Sequence, residues 1–244
     1  LFADDIKLYK SFKLVYSDLQ KSIDALTTWS KGWQLSLATD KCFVCSIKSS
    51  RHKPTPTQYS IDSAPLKLLY QVKDLGVIID SQLNFRSHIE SITHQASVRS
   101  RLTLKSLVSR DKDLLTKAFC VYTRQLLEYC SQVWSPHHKY LVDRVERVQR
   151  RFTKAIPLVR HLQYCDRLKA LKIRSLEHRR LIADLCLCYK IVNNLVSTEL
   201  KNHLLAFNYS STRRHHLKLR SQPSQSDLFK FFFTNREMSS VKMF

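Results

Sequence analysis

The chain has 244 residues, with 41 lysines and arginines against 20 aspartates and glutamates and a formal net charge of +21. This length allows one or two domains, and so strong a positive charge indicates a polyanionic partner. Its apolar runs are shorter than the ~18 residues of a transmembrane helix, and it shows no signal-peptide pattern. Nucleic acid is therefore a better partner than a membrane, and a content of only two glycines argues against a turn-rich all-β fold.

The cysteines and the first residue also bear on the class of protein. Seven scattered cysteines indicate reduced thiols in an intracellular compartment, nuclear and cytoplasmic, instead of a disulfide framework. Cys42 and Cys45 have the spacing of zinc ligands, but a second Cys/His pair does not follow at the usual interval, so we interpret them as structural thiols. Because the chain begins at Leu1 within what resembles a strand pair, we expect it to be a fragment of a longer reading frame.

An adjacent pair of acids, Asp4 and Asp5, stands between short apolar runs at the start of the chain. On the tip of a β-hairpin, two such carboxylates can hold Mg²⁺, which usually takes one or two carboxylates together with substrate phosphates. Two ions about 4 Å apart can clamp the attacking and leaving oxygens of a phosphoryl transfer. For the pair alone, an acidic surface turn is the more common explanation.

The segment after this pair indicates an α+β arrangement. Ser17 is expected to cap a helix that carries Leu19, Ile23 and Leu26 on one face. The spacing of Trp29 and Trp33 places both in the core instead of on a base-stacking surface. Strands are expected over residues 42–47, 58–61, 66–70 and 75–79.

From about residue 87 the apolar period becomes helical. The first predicted helix runs from Ser87 to Val108, and the second from a Ser109 cap to Trp134. The third is expected to bury one apolar face, formed by Leu141, Val145, Val148, Phe152 and Ile156. The fourth follows Ser175 and carries the apolar residues Leu181, Ile182, Leu185, Tyr189 and Val192. Trp134 is expected in the core, and Pro136 ends the second helix. The aromatic run at residues 228–233 is expected to be a strand.

Positive charge is concentrated in the helical part. Residues 1–85 carry a net charge of +3, whereas residues 86–244 carry +18. In the third helix, between Arg144 and Lys154, only Glu146 partly opposes a group of cations that could track the phosphates of a nucleic acid, although an ordinary solvated helix face is the alternative. These cations are Arg144, Arg147, Arg150, Arg151 and Lys154.

Several segments, in chain order, resemble the downstream part of the reverse transcriptase of a non-LTR (LINE-type) retrotransposon. Two differences are Ala38, where the family usually has Asn, and Arg124-Gln125, where it often has Arg-Pro. The matching segments are Phe2-Ala3-Asp4-Asp5 with Ile6 to Tyr9 (the F/Y-A-D-D motif), Trp29-x-x-x-Trp33-x-Leu35 with Lys41-Cys42, Lys73-Asp74-Leu75-Gly76-Val77 (K-x-L-G-V), Leu127 to Trp134, Val145 to Arg151, and Glu177 to Leu181.

The resemblance implies an RNA-directed DNA polymerase that acts on an RNA template, a DNA primer and dNTPs with two Mg²⁺ ions. Asp4 and Asp5 would hold the metal, together with an aspartate upstream of Leu1. Lys41 would lie near the leaving pyrophosphate, and a solvated surface lysine is the alternative. Leu75, Gly76 and Val77 would seat the primer end, although a core strand also explains them. The isolated chain is expected to bind nucleic acid without polymerising.

The resemblance also implies the domain order of a right-hand polymerase. The fold class would be α+β, a partial palm, followed by a mainly α-helical thumb and C-terminal extension. The expected domains are 1–85 for the partial palm, 86–136 for the thumb, 137–205 for a basic helical extension and 206–244 for a poorly ordered or truncated tail. Two other functions fit the residues, a non-catalytic basic module that binds RNA or a heteroduplex and a decayed copy of an element.

Overall fold

The order of the elements confirms the predicted fold class, since short strands and one helix precede a mainly helical region. The computed structural model describes residues 5–9, 17–47, 58–196, 230–233 and 235–236. The chain divides into two compact units at Leu83–Asn84. In the described part of the chain, all helices are too short or too polar to cross a membrane.

Unit 1 is built from short strands in pairs. Among its described residues, β1 pairs with β4 in parallel, and β2 with β3 and β5 with β6 are antiparallel hairpins. The elements are α1 (Ser17–Gly32), a 3₁₀ turn (Thr39–Lys41), β1 (Phe43–Cys45), β2 (Ser60–Ile61), β3 (Ala64–Pro65), β4 (Lys67–Leu69), β5 (Gln71–Asp74) and β6 (Val77–Asp80).

A side-chain amide fixes α1 against β2. Gln20 donates to the carbonyl of Ser60 at 2.9 Å and accepts from its N–H at 3.1 Å, so the amide completes the backbone pairing of that edge. Ile23 and Ile61 are buried in this unit. The prediction that Trp29 and Trp33 are core residues is wrong, because 49% and 68% of these residues are exposed. The helical spacing identified one face of α1 but not whether another element covers it.

Both hairpins close with two-residue turns of left-handed backbone. Leu75 and Gly76 have φ of 43° and 86° between the paired residues Asp74 and Val77. Such turns match the right-handed twist of the flanking strands, and glycine accepts positive φ without steric cost. The predicted strand 75–79 therefore begins at Val77, and Leu75 and Gly76 form the tip of the hairpin.

The regular secondary structure of unit 2 is helical among its described residues. Its elements are α2 (Arg86–Ser106), α3 (Lys112–Ala118), a π-helical turn (Phe119–Thr123), a 3₁₀ turn (Arg124–Leu127), α4 (Ser131–Trp134), α5 (Lys139–Lys154), α6 (Tyr164–Ala170) and α7 (Leu176–Val192).

The predicted single helix from Ser109 to Trp134 is wrong in its cap and its continuity. Asp111, not Ser109, caps α3, because its Oδ2 accepts from the N–H of Leu114 at 2.8 Å. The helix then widens into the π-helical turn, which buries both Phe119 and Thr123. Cys130 adopts a left-handed conformation with φ of 51° before α4 begins.

The core of unit 2 confirms the apolar face predicted for the third helix. All five of its predicted apolar residues are buried, and the ring of Phe152 packs against Phe119 with 4.6 Å between centroids. Leu115, Ile156, Val159 and Leu171 complete this cluster. Trp134 is 1% exposed, as predicted for a core residue.

Two predictions about the C-terminal half are wrong. Ser175 caps α7 as expected, but the predicted apolar set is at best half-buried and Tyr189 is exposed. The buried side of α7 instead holds Leu176, Arg180, Asp184, Cys188 and Ile191. The predicted strand at 228–233 is also wrong in its described residues, because Lys230 and Phe233 are helical.

His88 predicts a loss of stability in mild acid. This residue is 2% exposed and lies edge-on to Trp134, and burial lowers its pKa below the ordinary 6.5. Because the unfolded chain binds the proton more tightly, the free energy of unfolding falls as pH decreases below about 6.5. Urea denaturation between about pH 7 and 5 should show a flatter dependence in His88→Asn, which removes the titrating ring.

His94→Asn serves as the control, because His94 lies on the same helix and is exposed. It should keep the pH dependence of the natural chain. A His88→Asn variant with an unchanged slope would contradict the assignment of this acid sensitivity to His88.

Candidate nucleic-acid interface and metal site

The segment that carries the acidic pair is attached to the β5–β6 hairpin. The Lys7 ammonium donates to Asp74 Oδ1 at 2.5 Å, and Asp74 precedes the hairpin tip. Asp5 is exposed two residues before Lys7. The structure thus brings the second acid of the pair and the hairpin that contains Leu75 and Gly76 into the same unit.

Of the two predicted metal ligands, Asp4 lies outside the described residues and Asp5 is described. Within the described ranges, His, Cys, Asp and Glu side chains do not gather in groups of three that could hold a metal ion, at Cys42 and Cys45 or elsewhere. Among the same residues, the Asp5 carboxylate has no hydrogen bond or ion pair. An exposed, uncommitted carboxylate has the chemistry that an Mg²⁺ ligand requires.

The roles predicted for Lys41 at the pyrophosphate and for the hairpin tip at the primer end stay predictions. Lys41 is exposed at the end of the 3₁₀ turn before β1 and, among the described residues, forms no ion pair with Asp5. At the tip, Leu75 is 44% exposed and Val77 is 5% exposed. Val77 is therefore a core residue of the hairpin, whereas Leu75 is exposed at its tip.

The five cations predicted to bind phosphates lie on a single exposed face of α5, which we call the basic face: Arg144, Arg147, Arg150, Arg151 and Lys154. At about 100° per residue these positions fall within an arc of about 120°, opposite the buried apolar side. Arg144 pairs with Glu90 at 3.1 Å, and the Arg150 guanidinium lies 4.9 Å from the ring centre of Tyr164. In the part of the chain that the structure describes, the other three have no carboxylate partner.

Glu146 does not oppose the basic face. It is 6% exposed, and its carboxylate accepts from the N–H groups of Leu176 and Glu177 at the start of α7 and from the Tyr164 hydroxyl. A carboxylate at a helix N-terminus is favourable because it satisfies free N–H groups and the helix dipole. Burial, and then the hydrogen bond to Glu146, raise the pKa of Tyr164 and keep its hydroxyl protonated.

The known proteins that this chain resembles include polymerases of the class that the sequence motifs indicate. The chain is 31% identical over 164 residues to the RNA-directed DNA polymerase from mobile element jockey of Drosophila funebris, covering 64% of the chain and 17% of that protein. A probable RNA-directed DNA polymerase from transposon BS of Drosophila melanogaster is 27% identical, with 64% and 18% covered. The chain is distantly related to reverse transcriptases of non-LTR retrotransposons.

The relationship is confined to part of each relative. An uncharacterized protein of Caenorhabditis elegans is 28% identical over 132 residues, and the chain spans 65% of its length. No protein-family model matches the chain. No solved structure matches it significantly.

Polar contacts join the motif segments of unit 2. Glu128 receives a two-pronged hydrogen bond from the Arg179 guanidinium, which joins the 127–134 and 177–181 segments. Gln149 is fully buried and donates to the carbonyl of Arg174 at 3.0 Å and to Tyr164 at 3.1 Å. These roles were not predicted from the sequence, although polar residues within apolar helical segments indicate buried hydrogen bonds.

The buried cap at Glu146 can be tested by removing its charge. Glu146→Gln keeps the shape but weakens the bonds to the N-terminus of α7, so we expect a loss of about 1–3 kcal/mol in the free energy of unfolding. Urea denaturation measures this loss. Glu177→Gln, at an exposed site in the first turn of α7, should cost no more than about 1 kcal/mol. Equal losses would show that Glu146 acts only through general charge.

Proposed function

We propose that the chain is the C-terminal portion of an RNA-directed DNA polymerase of a non-LTR retrotransposon. The observation that carries this proposal is the similarity to two such polymerases of mobile elements over 64% of the chain. The F/Y-A-D-D-like segment and the basic face of α5 support it from the residues and the geometry. The substrates would be a primed RNA template and dNTPs.

In this proposal Asp4 and Asp5 hold Mg²⁺ when the enzyme is assembled. The metal supplies charge neutralisation for phosphoryl transfer, which depends on positioning and electrostatics more than on covalent chemistry. Lys7, through its ion pair with Asp74, holds the segment after the acids against the hairpin. Lys41 would neutralise the departing pyrophosphate, and the Leu75–Val77 tip would contact the primer end.

The basic face of α5 would bind the RNA–DNA heteroduplex through its phosphates. From Arg144 to Lys154 the face extends about 15 Å along the helix axis, enough to meet several phosphates of a duplex. The apolar side of the same helix is embedded in the core of unit 2, so the cations project from a rigid support. Pairing with Glu90 and stacking on Tyr164 hold Arg144 and Arg150 in place.

A non-catalytic RNA- or heteroduplex-binding module is the second candidate. It is favoured by one observation, that unit 2 has its own core and carries the basic face without any residue of the acidic pair. Shape and phosphate recognition would suffice for this function. The two candidates differ in whether Asp4 and Asp5 are needed.

Phosphate binding by the basic face predicts a change in salt dependence. Replacing Arg147, Arg151 and Lys154 together by Ala should weaken binding of an RNA–DNA duplex. The slope of log K against log salt should become shallower by about 0.9 for each lost phosphate contact, up to roughly 3. Fluorescence anisotropy over a salt series measures both quantities.

The matched control removes the same charge from exposed cations on α2 and α7, by replacing Arg101, Lys105 and Lys190 with Ala. It should retain most of the affinity and slope. An equal loss in the control would show that binding follows the net charge of the chain, not the face of α5.

The metal role of the acidic pair predicts a severe loss of synthesis. In a protein in which the upstream polymerase segments precede this chain, Asp4→Asn should lower Mg²⁺-dependent dNTP incorporation on a primed RNA by ~10²-fold or more, since it removes direct stabilisation of transition-state charge. Asp40→Asn, at an exposed residue of the 3₁₀ turn, should leave incorporation unchanged. Undiminished synthesis by Asp4→Asn would refute the assigned role, and retained duplex binding would then favour the binding module.

A further inference from the structure

The C-terminal segment, residues 230–233 and 235–236, packs against α4 and α7 of unit 2. Phe231 stacks on His137 with 4.2 Å between ring centres and 3° between ring planes. Phe233 and Asn235 are 4% and 7% exposed. A segment far along the chain is thus a component of the helical unit.

Phe233 provides the apolar contact. Its ring packs in a cluster with Cys188 and Ile191 of α7, bordered by Leu187 and Val192. The neighbouring Phe232 is 44% exposed. Two adjacent phenylalanines therefore have opposite environments, and only one of them is inserted into the surface.

Arg236 provides the polar contact. Its Nη2 and Nε donate to Asp184 Oδ2 at 2.6 and 3.0 Å, and Nη2 also donates to the carbonyl of Gln132 at 3.3 Å. The Asp184 side chain is only 3% exposed. A planar guanidinium fork suits this geometry, whereas a lysine ammonium offers one point of attachment.

A second arginine of α7 is buried one turn before Asp184. Arg180 is 3% exposed; burial lowers its pKa, whereas the negative charges of Glu146, Glu177 and Asp184 act in the opposite direction. A buried carboxylate in a strongly cationic part of the chain is a selective site for a cationic group. It disfavours the phosphates of a nucleic acid, since burying like charges together is costly.

We propose that the α4–α7 surface is a docking site for a peptide segment with a phenylalanine and an arginine three residues apart, filled in this chain by Phe233 and Arg236. Residues at this spacing on a helical turn face the same side. The apolar cluster around Cys188 and Ile191 binds the phenylalanine ring, and the Asp184 carboxylate and the Gln132 carbonyl bind the guanidinium. The site is a protein-interaction surface and lies outside the residues assigned to polymerase chemistry.

A peptide added in trans tests the site on the full chain. In the doubly substituted chain Phe233→Ala/Arg236→Ala, a fluorescent peptide of residues 228–238 should bind saturably by anisotropy. The natural chain should bind it at least ~10-fold more weakly, because its own tethered segment competes at high effective concentration. The Phe232→Ala chain should behave like the natural one.

Peptide variants define what the site recognises. Peptides carrying Phe233→Ala or Arg236→Lys should bind the doubly substituted chain at least ~10-fold more weakly, the second because the guanidinium fork is lost. A peptide with Phe232→Ala should bind normally. Equal binding of all peptides, or of the natural and substituted chains, would overturn the proposal.

Hydrogen exchange provides a second measurement that does not depend on the doubly substituted chain. Arg236→Lys in the full chain should speed amide exchange around residues 184–191 of α7 at least several-fold, because the docked segment opens more often. Phe232→Ala should not change it. Unchanged exchange in Arg236→Lys would count against docking through Arg236.

Discussion

The buried carboxylate of Glu146 is the interaction on which the packing of unit 2 depends. It joins three helices, because it projects from α5, accepts from the Tyr164 hydroxyl of α6 and closes the first turn of α7. A buried charge is tolerated only when its hydrogen-bonding capacity is filled, and two backbone donors and a hydroxyl meet that condition. The start of α7 is thereby held against α5.

The two sides of α5 consequently lie in different environments. Its apolar side and Glu146 belong to the interior, and its basic face belongs to the solvent or to a phosphate ligand. Tyr164 links the two, since its hydroxyl binds Glu146 and its ring supports the Arg150 guanidinium. The position of one cation of the face therefore depends on the same buried contact that sets the helix packing.

Periodicity predicted the features that depend on a single element. The buried side of α5 and the Ser175 cap of α7 follow from local spacing and cap chemistry, and both are observed. Ser109 was predicted to cap α3, but Asp111 caps it instead, because its Oδ2 accepts from the N–H of Leu114. The basic face was identified as a group of residues, but the buried role of Glu146 required knowledge of where α7 begins.

Features that depend on distant partners were not predictable in this way. Trp29 and Trp33 have a core-like spacing, yet whether they are covered depends on other elements. The aromatic run at 228–233 resembles a strand by composition, but of its described residues Lys230 and Phe233 are helical, and Phe233 packs against α7. The acidic pair and Lys41 were assigned by resemblance and remain predictions.

The contact between Arg236 and Asp184 has a consequence for synthesis of the protein. The two residues are 52 positions apart, and Arg236 also reaches Gln132, which lies 104 positions earlier. A ribosome that adds ~5–20 residues per second makes Asp184 roughly 3–10 s before its guanidinium partner. During that interval α7 is complete in sequence but its carboxylate lacks this partner, so the helical unit acquires this contact only after residue 236 has been added.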